Sequence, residues 1–550
     1  MPVLLRRSSD LPDTAAYDAW LAVTGTLAPT PAPTGLGRKL PGLACKLEAA
    51  FVAERDAWLR LGRALAAEPG ADVAHMPTAG SFGSDFGIML AWCRLVGGLA
   101  RDDTRMLVLC DDPWLFRHLA GLPGIEAGLA PALRRKVAWR ALRGVFARVG
   151  VAFRAAWAAL RLRRSRRAMR RGDSVILVYG HPASDARGND AYFGDLMARF
   201  PALKRLLHTD CGVARARALA ADGRTASLHA WGSPLFALTL IGERWRPGRA
   251  HLAGPLGWLV RRAAASENGG GGPAMNRWQA HCQARWLAAA RPARVAWPWE
   301  NHGWERNLCR AARQHGVKLI GYQHTVIGPH HFNYSTATNP DGLSSIPDFV
   351  VANGPVYLAE MRVLGVPAER LMTGGAVRFR RFRDDLFDAA GPLFVPLSPV
   401  VWAARAQFAV AAAVARRGWK VLVRQHPMYP MPFSEQPNLA HGDAPLADQS
   451  GLSAVLYATG TSGLEAVLMG IPAFRLMLDD RISIDVLPAG IAVTAVTEEN
   501  AAETILAHAG PGRRVPWDDI LSDPDIGVWK SLLFDDIEPA GIPKAAKQAS

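Results

Sequence analysis

The stretch WKVLVRQHP (419–427), together with AVLYATGTSGLEAVLMG (454–470), decides the fold of this chain. Each stretch begins with a short apolar run typical of a buried strand, and the second continues through a glycine turn into the start of a helix. Arg424 and His426 follow the first strand. Gly460 opens a turn whose backbone N–H groups and helix dipole can face a phosphate. Because ligands of an open parallel sheet sit outside the carboxyl ends of its strands, the pattern predicts an α/β fold that binds a diphosphate or a nucleoside monophosphate there.

Two simpler interpretations of these segments stay open. Ser462 and Glu465 fit the S-x-x-E capping box, which would only satisfy the first N–H groups of a helix. Arg424 and His426 could lie in a loop that carries a surface cation. A ligand is favoured because two neighbouring strand ends are both equipped for an anion. The residues predicted to bind the nucleotide are Arg424, His426, Pro427, Gly460, Thr461, Ser462, Gly463 and Glu465.

Length and composition indicate a folded protein of two or more domains. The chain has 550 residues, of which 49% are hydrophobic and 20% are charged. Such a length exceeds what one ordinary core accommodates. The six cysteines are scattered without a C-x-x-C pair, which favours a reducing compartment and argues against a zinc knuckle. The start lacks a signal-peptide pattern and no long apolar run follows, so we expect a cytoplasmic protein.

The net charge of +16 is concentrated in one segment. Residues 134–171 contain fourteen Arg or Lys and no Asp or Glu. At helical periodicity, an apolar stripe that includes Phe146, Phe153 and Trp157 lies opposite a set of arginines, which predicts a basic amphipathic helix. Three interpretations stay open: the stripe packs on its own domain, the helix binds nucleic acid, or it docks on the inner face of the cell membrane. Nucleic acid is the least favoured because no nucleic-acid-binding motif accompanies the helix.

Apolar strand-like runs alternate with helical stretches along most of the chain, as in α/β units on parallel sheets. Periodicity lapses in the polar stretch 333–348, which predicts a domain boundary there. We therefore expect two Rossmann-like domains that face each other across a cleft, at 1–340 and 345–530, with a tail at 531–550. The predicted strands lie within 105–112, 174–182, 294–301, 317–324, 348–354, 391–398, 419–427 and 453–460.

A second cluster of polar residues follows two strands of the N-terminal half. WPWENHGWE brings Glu300 and Asn301 to one strand end, and YQHTVIGPHH brings Gln323 and His324 to the next. The histidines lack a metal-binding spacing such as H-E-x-x-H, so we expect no metal and no other cofactor. Arg424, His426 and the helix N-terminus would then take the role that Mg²⁺ often has at a leaving phosphate.

Acid–base chemistry suits this cluster better than metal binding. Glu300 leaves a tryptophan-flanked apolar strand, and we expect burial to raise its pKa toward the range of a general base. His324 is the second candidate base, since an imidazole titrates near neutral pH without a large shift. A purely structural role stays open for both. Asp190, in the polar loop of SVILVYGHPASDARGNDAYFGDL, joins Asn301 and Gln323 as a candidate on the acceptor side.

RQHP followed by GTSGLEAVLMGIP resembles the C-terminal halves of GT-B glycosyltransferases that use CMP-activated sugars, including bacterial sialyltransferases and capsule Kdo transferases. Those enzymes bind the phosphate and ribose of the nucleotide with an H-P motif and an S-S or S-T motif. His426-Pro427 matches the first motif and Thr461-Ser462 the second. The segment WPWENHGWERNLCRAARQHGVKLIGYQHTVI is also similar to part of bacterial surface carbohydrate biosynthesis proteins. The sialyltransferase base motif is absent, so Glu300 is not inferred from this resemblance.

The resemblance implies a glycosyltransferase that moves a sugar, from a CMP-sugar by preference, onto a surface polysaccharide or lipid-linked glycan. Glu465 would reach the ribose, and the basic helix would hold the enzyme near the inner face of the membrane. Two alternatives stay open. One is a sugar-nucleotide 2-epimerase, which shares such a fold without needing an acceptor, and the other is a non-catalytic membrane-surface binding protein.

Overall fold

The computed structural model describes residues 3–25, 30–31, 34–75, 84–102, 104–382, 386–478 and 481–535. The described strands form three sheets, and the paired strands of each sheet are parallel. The strands are β1 (Val3–Arg6), β2 (Ala19–Val23), β3 (Met106–Cys110), β4 (Ile125–Ala127), β5 (Ser174–Val178), β6 (Lys204–Leu207), β7 (Thr225–Ser227), β8 (Arg294–Pro298), β9 (Lys318–Tyr322), β10 (Phe349–Ala352), β11 (Leu371–Thr373), β12 (Leu393–Pro396), β13 (Val421–Arg424), β14 (Leu439–His441), β15 (Ala454–Tyr457), β16 (Ala473–Met477) and β17 (Thr494–Thr497).

Helices connect most of these strands, as crossovers between parallel strands require. The α-helices are α1 (Leu43–Ala53), α2 (Arg55–Ala66), α3 (Phe86–Leu99), α4 (Pro113–Leu119), α5 (Leu133–Leu162), α6 (Leu196–Arg199), α7 (Val213–Leu219), α8 (Pro234–Thr239), α9 (Arg249–Ala253), α10 (Gly257–Asn268), α11 (Gly272–Ala290), α12 (Gly303–Arg313), α13 (Pro355–Val363), α14 (Val401–Arg416), α15 (Ser462–Met469), α16 (Ala501–Ala507), α17 (Trp517–Ile520) and α18 (Ile526–Phe534).

The two larger sheets share one strand order. The six-stranded sheet has the order β14-β13-β12-β15-β16-β17, which is 3-2-1-4-5-6 counted along the chain. The seven-stranded sheet has the order β11-β10-β9-β8-β5-β6-β7, which is the same arrangement with a seventh strand. Both orders are doubly wound, so each sheet has a switch point where the strand order reverses, between β12 and β15 in one sheet and between β5 and β8 in the other. The expected α/β class with two Rossmann-like sheets is confirmed.

A four-stranded sheet with the order β2-β3-β1-β4 precedes these two. Of its four strands, only β3 is predicted from the sequence. β1, β2 and β4 contain 4, 5 and 3 residues. Such short apolar runs carry too few periods to stand out from their surroundings. Their core includes Leu21, Trp92 and Val108, all fully buried.

The change from one large sheet to the next does not coincide with the boundary expected at 340–345. β10 pairs with β9, and β11 pairs with β10, so both belong to the seven-stranded sheet. The chain crosses to the six-stranded sheet between Thr373 and Leu393. It then returns, because Trp529 of α18 is fully buried in the core of the seven-stranded sheet, next to Tyr322. The domain limits stay a prediction, and residues 536–550 of the expected tail lie outside the described residues.

The outgoing and returning segments between the two sheets contact each other. Arg381 of the outgoing segment pairs with Asp518 at 2.6 Å and with Asp523 at 2.9 Å on the returning segment. The ring of Phe382 meets that of Trp517 with centroids 6.0 Å apart. The chain therefore links the two sheets twice, along neighbouring paths.

The basic segment 134–171 forms α5 and a following 3-10 turn, Arg163–Ala168. Within the part of the chain that the structure describes, no helix is both long and apolar enough to span a bilayer.

Candidate functional site

A cleft with a volume of about 570 Å³ lies where the carboxyl ends of both large sheets meet. Its C-terminal wall follows the switch point of the six-stranded sheet, and its other wall follows β5 and β9. The structure thus brings together most of the residues predicted to bind the nucleotide. Residues on the C-terminal wall include Pro396, Leu397, Arg424, His426, Pro427, Thr459, Gly460, Thr461, Ser462 and Glu465, and those opposite include His181, Thr325 and Arg378.

The turn after β15 presents backbone N–H groups to the cleft. Gly460 has a φ of 115°, a conformation that favours glycine, and α15 begins two residues later at Ser462. The N-cap position is Thr461 and carries no side-chain cap, so Ser462 and Glu465 do not form the capping box of the simpler interpretation. Instead, the Thr461 hydroxyl donates to the Glu465 carboxylate at 3.0 Å. The first N–H groups of the helix are therefore open to a ligand.

Gly463 lies behind this turn rather than at the cleft. It is buried, and a Cβ at this position would stand 2.4 Å from the ring of Tyr457. Its missing side chain thus serves the packing of α15 on β15. Direct contact with a ligand, as the sequence predicts for Gly463, has no support in this placement.

Arg424 ends β13, and His426 and Pro427 follow it on the cleft wall. His426 Nδ1 accepts a hydrogen bond from the Met428 N–H at 3.3 Å, so a neutral ring carries its proton on Nε2. Burial lowers the pKa of His426, and the positive charges of Arg378 and Arg424 lower it further. His426 is therefore a neutral hydrogen-bond donor at neutral pH until an anion enters.

His181 on the opposite wall repeats this construction. It follows β5 in the sequence GHP, and its Nδ1 accepts from the Ala183 N–H at 3.0 Å. Burial, together with the positive charge of Arg378, lowers the pKa of His181 to about 4. His181 is not among the site residues predicted from the sequence. The signal was available, because an H-P dipeptide follows an apolar strand only a few residues away, as it does at His426-Pro427.

Arg378 also lines the cleft and is absent from the predicted site. It lies on the outgoing segment between the sheets, and its charge lowers the pKa of both His181 and His426. Within the described residues, neither Arg378 nor Arg424 makes a side-chain hydrogen bond or ion pair at contact distance. The Glu465 carboxylate lies close enough to both guanidinium groups for their charges to lower its pKa, although burial raises that pKa more. Two guanidinium groups without a hydrogen-bond partner in the described part of the chain, beside the N-terminus of α15, still favour a phosphate in the cleft.

Glu300 lies just after the carboxyl end of β8. β8 and β5 are the two strands that flank the switch point of the seven-stranded sheet. Its carboxylate accepts a hydrogen bond from His302 Nε2 at 3.0 Å and lies 3.9 Å from His324 Nε2. Burial opposes ionisation, but the hydrogen bond from His302 and the nearby imidazoles outweigh it and hold the pKa of Glu300 at about 2. The expected upward shift is wrong, because the sequence shows the tryptophans around Glu300 but not the imidazole that pairs with it.

His324 is buried 3.9 Å from Glu300, and burial lowers its pKa to about 4. Neither residue is among those that line the cleft. Tyr192 connects them to it, because its ring lies 5.3 Å from that of His324 and 5.9 Å from that of His181, between centroids. The two predicted catalytic residues are thus brought together, one aromatic ring behind the cleft wall.

Glu305 braces the loop that carries Glu300. Its carboxylate accepts from Trp297 Nε1 at 3.0 Å and from the backbone N–H groups of residues 300, 301 and 302. Burial raises the pKa of Glu305 to about 7, and the positive charge of His302 offsets part of that rise. The carboxylate thus fixes the position of Glu300 without reaching the cleft.

The three residues expected on the acceptor side are buried and bonded to the protein itself. Asn301, with a φ of 61°, donates from Nδ2 to Asn339 Oδ1 at 2.9 Å and accepts at Oδ1 from Asn339 Nδ2 at 3.1 Å. Asp190 lies 3.6 Å from Arg205, and Gln323 Oε1 accepts from the Asn353 N–H at 2.9 Å. These side chains hold loops in place and leave no group for an acceptor. Within the described residues, no group of three or more His, Cys, Asp or Glu side chains is arranged to hold a metal ion.

Comparisons with known proteins add little to this geometry. No protein-family model and no curated protein sequence matches the chain. Among solved structures, Arabidopsis thaliana UGT89C1 complexed with UDP-L-rhamnose is similar over 61% of this chain and 90% of that one, at 13% identity and a TM-score of 0.35. The lipopolysaccharide outer core galactosyltransferase WaaB is similar over 60% and 88%, at 10% identity and a TM-score of 0.29. A UDP-N-acetylglucosamine 2-epimerase is similar over 56% and 79%, at 11% identity and a TM-score of 0.29.

Proposed function

We propose that this protein is a glycosyltransferase of the GT-B type that moves a sugar from a nucleotide donor to a hydroxyl of a surface polysaccharide or lipid-linked glycan. One observation carries the proposal: the carboxyl ends of two doubly wound sheets open onto a single cleft, which Arg378 and Arg424 line from opposite walls. A nucleotide sugar needs such a place for its phosphate. The resemblance of RQHP and GTSGLEA to CMP-sugar enzymes favours CMP as the nucleotide.

The donor phosphate is proposed to lie against the N–H groups of Thr461 and Ser462, between Arg424 and His426. As the bond from the anomeric carbon of the sugar to the phosphate oxygen breaks, the leaving nucleotide takes the bonding electrons. Arg424, Arg378 and the dipole of α15 stabilise that growing charge. Neutral His426 donates from Nε2, and the anion raises its pKa. Glu465 accepts hydrogen bonds from the ribose.

The acceptor hydroxyl is proposed to approach from the wall formed by His181 and Tyr192. Its oxygen forms the new bond to the anomeric carbon, while its proton passes by way of the Tyr192 hydroxyl to Glu300 or His324, since neither base lines the cleft itself. Both are in the form that accepts a proton at neutral pH, since the pKa of Glu300 is held at about 2 and that of His324 at about 4. The acidity of Glu300 makes it a weaker base than its burial suggests.

The decisive experiment is thermal unfolding in the presence of CMP, CDP, UDP and GDP, because a ligand that binds the native state raises the Tm by mass action. We expect the largest increase with a cytidine nucleotide and its loss in His426→Ala. The control is Arg416→Ala, which removes an exposed cation outside the cleft and should leave the increase unchanged. If the His426 variant binds nucleotide normally, the donor site is assigned wrongly.

Product analysis then separates transfer from the alternatives. Release of free nucleotide that depends on an added glycan acceptor supports a transferase. An epimerised sugar nucleotide formed from the donor alone indicates an epimerase, and absence of nucleotide binding indicates a non-catalytic protein. We propose the cytoplasm as the location, since the donor nucleotide is made there.

A further inference from the structure

The apolar stripe of α5 faces solvent. The side chains of Trp139, Phe146, Phe153, Trp157 and Leu160 are 61%, 69%, 70%, 55% and 60% exposed. The opposite face, made mostly of small residues, is buried against the protein and includes Gly144, Val151, Ala152, Ala155, Ala158, Ala159 and Leu162. The aromatic residues of α5 point outward and its alanines point inward. The apolar stripe therefore does not pack into the core of the protein.

Backbone contacts fix the helix in this orientation. A Cβ at Gly144 would stand 1.8 Å from the Asn268 carbonyl oxygen, so the helix backbone packs directly on α10. The buried Arg148 guanidinium donates to the Ile241 carbonyl at 2.9 Å and the Asn268 carbonyl at 3.0 Å. Rotating the stripe inward would turn Arg148 away from the protein, break these bonds and leave the Ile241 and Asn268 carbonyl groups without this donor. The stripe is therefore a permanent part of the surface.

A neighbouring helix extends the same kind of surface. α8 packs against α5 and exposes Leu235 by 78% and Leu238 by 57%. We call the stripe of Trp139, Leu142, Phe146, Phe153, Trp157 and Leu160, together with Leu235 and Leu238, the α5–α8 surface.

Cations border this surface. The segment 134–171 carries fourteen Arg or Lys and no acidic residue. Arg161, Arg163 and Arg164 at the C-terminal end of the stripe are exposed. The Arg161 guanidinium stacks on the ring of Trp157, 4.9 Å from its centroid, a pairing that suits the boundary between a headgroup layer and acyl chains.

We infer that the α5–α8 surface docks on an anionic lipid bilayer, with the aromatic and leucine side chains below the headgroups and the arginines among the lipid phosphates. The inference goes beyond the proposed function, since it depends on no catalytic residue. Charge complementarity selects this occupant. A second copy of the chain would bring two arginine clusters together, and a nucleic acid would leave the leucines and phenylalanines without apolar contacts.

Sedimentation of the full chain with vesicles tests this inference. We expect binding to vesicles of phosphatidylcholine with phosphatidylglycerol, and much weaker binding to phosphatidylcholine alone. The double variant Phe153→Ser, Trp157→Ser should weaken vesicle binding by about tenfold or more, because each serine buries less apolar area in the bilayer than the aromatic side chain it replaces. The matched control is Leu343→Ser with Val363→Ser, two exposed apolar residues outside the α5–α8 surface, which should bind like the parent.

Charge reversal provides the second arm. Arg161→Glu, Arg163→Glu and Arg164→Glu together should weaken binding by about a hundredfold, whereas the same change at the exposed Arg405, Arg416 and Arg417 should have a small effect. An unchanged Tm and an unchanged nucleotide-induced Tm increase would show that these variants fold and keep their cleft. Equal vesicle binding by the stripe variants and their controls would overturn the inference. Two other results would also overturn it. One is self-association of the parent that the stripe variants abolish, and the other is nucleic-acid binding, in place of vesicle binding, that the stripe variants abolish.

Discussion

The two large sheets have the same strand order but different chemistry at their switch points. In the six-stranded sheet, Gly460 with a positive φ leads into α15, and the surrounding side chains are arginine, histidine and hydroxyls. In the seven-stranded sheet, the equivalent turn after β8 contains Asn301, also with a positive φ, and leads into α12. There the functional group is the carboxylate of Glu300 among imidazoles. We propose that one topology thus supplies an anion-binding wall and, opposite it, a proton-accepting wall whose bases lie behind Tyr192.

The largest effect should come from the proton-accepting wall. In Glu300→Gln we expect kcat to fall by about 10²–10⁴-fold, because an amide cannot accept the acceptor proton, with little change in nucleotide affinity. Acceptor-dependent nucleotide release and the nucleotide-induced Tm increase measure the two quantities. Glu126→Gln, an exposed carboxylate of the four-stranded sheet, serves as the control. If Glu300→Gln lost nucleotide affinity by as large a factor as kcat, Glu300 would act in nucleotide binding as well as in proton transfer.

Arg424→Ala should weaken nucleotide binding by about 1.5–3 kcal/mol, since it removes a hydrogen bond between charged groups. Titration calorimetry gives the dissociation constant. His181→Ala sharpens the comparison because it lies on the opposite wall. We expect a smaller loss of affinity, about 0.5–1.5 kcal/mol for a neutral donor, if the phosphate spans the cleft. No loss at all would assign the phosphate to the six-stranded sheet alone.

Gly463→Ala tests why the anion-binding turn contains a second glycine. Its Cβ would stand 2.4 Å from the Tyr457 ring, so we expect the free energy of unfolding to fall by about 1–3 kcal/mol. Urea denaturation measures it. At Gly150→Ala in α5, the nearest atom to the new Cβ is the flexible Arg154 side chain at 3.6 Å, and we expect no destabilisation. If Gly463→Ala kept its stability but lost nucleotide binding, Gly463 would instead contact the nucleotide directly.

The smallest effect concerns pH. The folded pKa of Glu300 lies below its ordinary value, so its contribution to stability is present above about pH 4.5 and is lost as pH falls toward 2. Burial opposes protonation of His302, but its hydrogen bond with Glu300 prevails and raises its pKa above 6.5. The stability that protonated His302 contributes is therefore present below about pH 6.5 and is lost as the pH rises through this higher pKa. The parent should exceed Glu300→Gln in stability most between about pH 4.5 and 6.5, by about 1 kcal/mol after solvent screening. Urea denaturation at three pH values checks this, and a constant difference would contradict the ion pair.

Much of the fold could be predicted from local pattern, because apolar runs such as VLVR and AVLY are strands in any packed α/β protein. The meeting of Arg424, His426 and the turn at Gly460 on one wall of the cleft could be predicted for the same reason, since all three follow those runs directly. Arg378 could not, because it stands in an arginine-rich segment without a strand, and only the crossing between the sheets brings it to the cleft. The helical period of α5 predicts two faces. It does not indicate which face is buried, since that depends on how closely the backbone at Gly144 approaches α10.

The paired paths between the sheets place a cleft residue beside the crossing itself. Arg381 ties the outgoing path to Asp518 and Asp523 on the returning one. Arg378, which lines the cleft, lies three residues earlier on the outgoing path. Any movement of one path against the other would therefore displace Arg378 within the cleft.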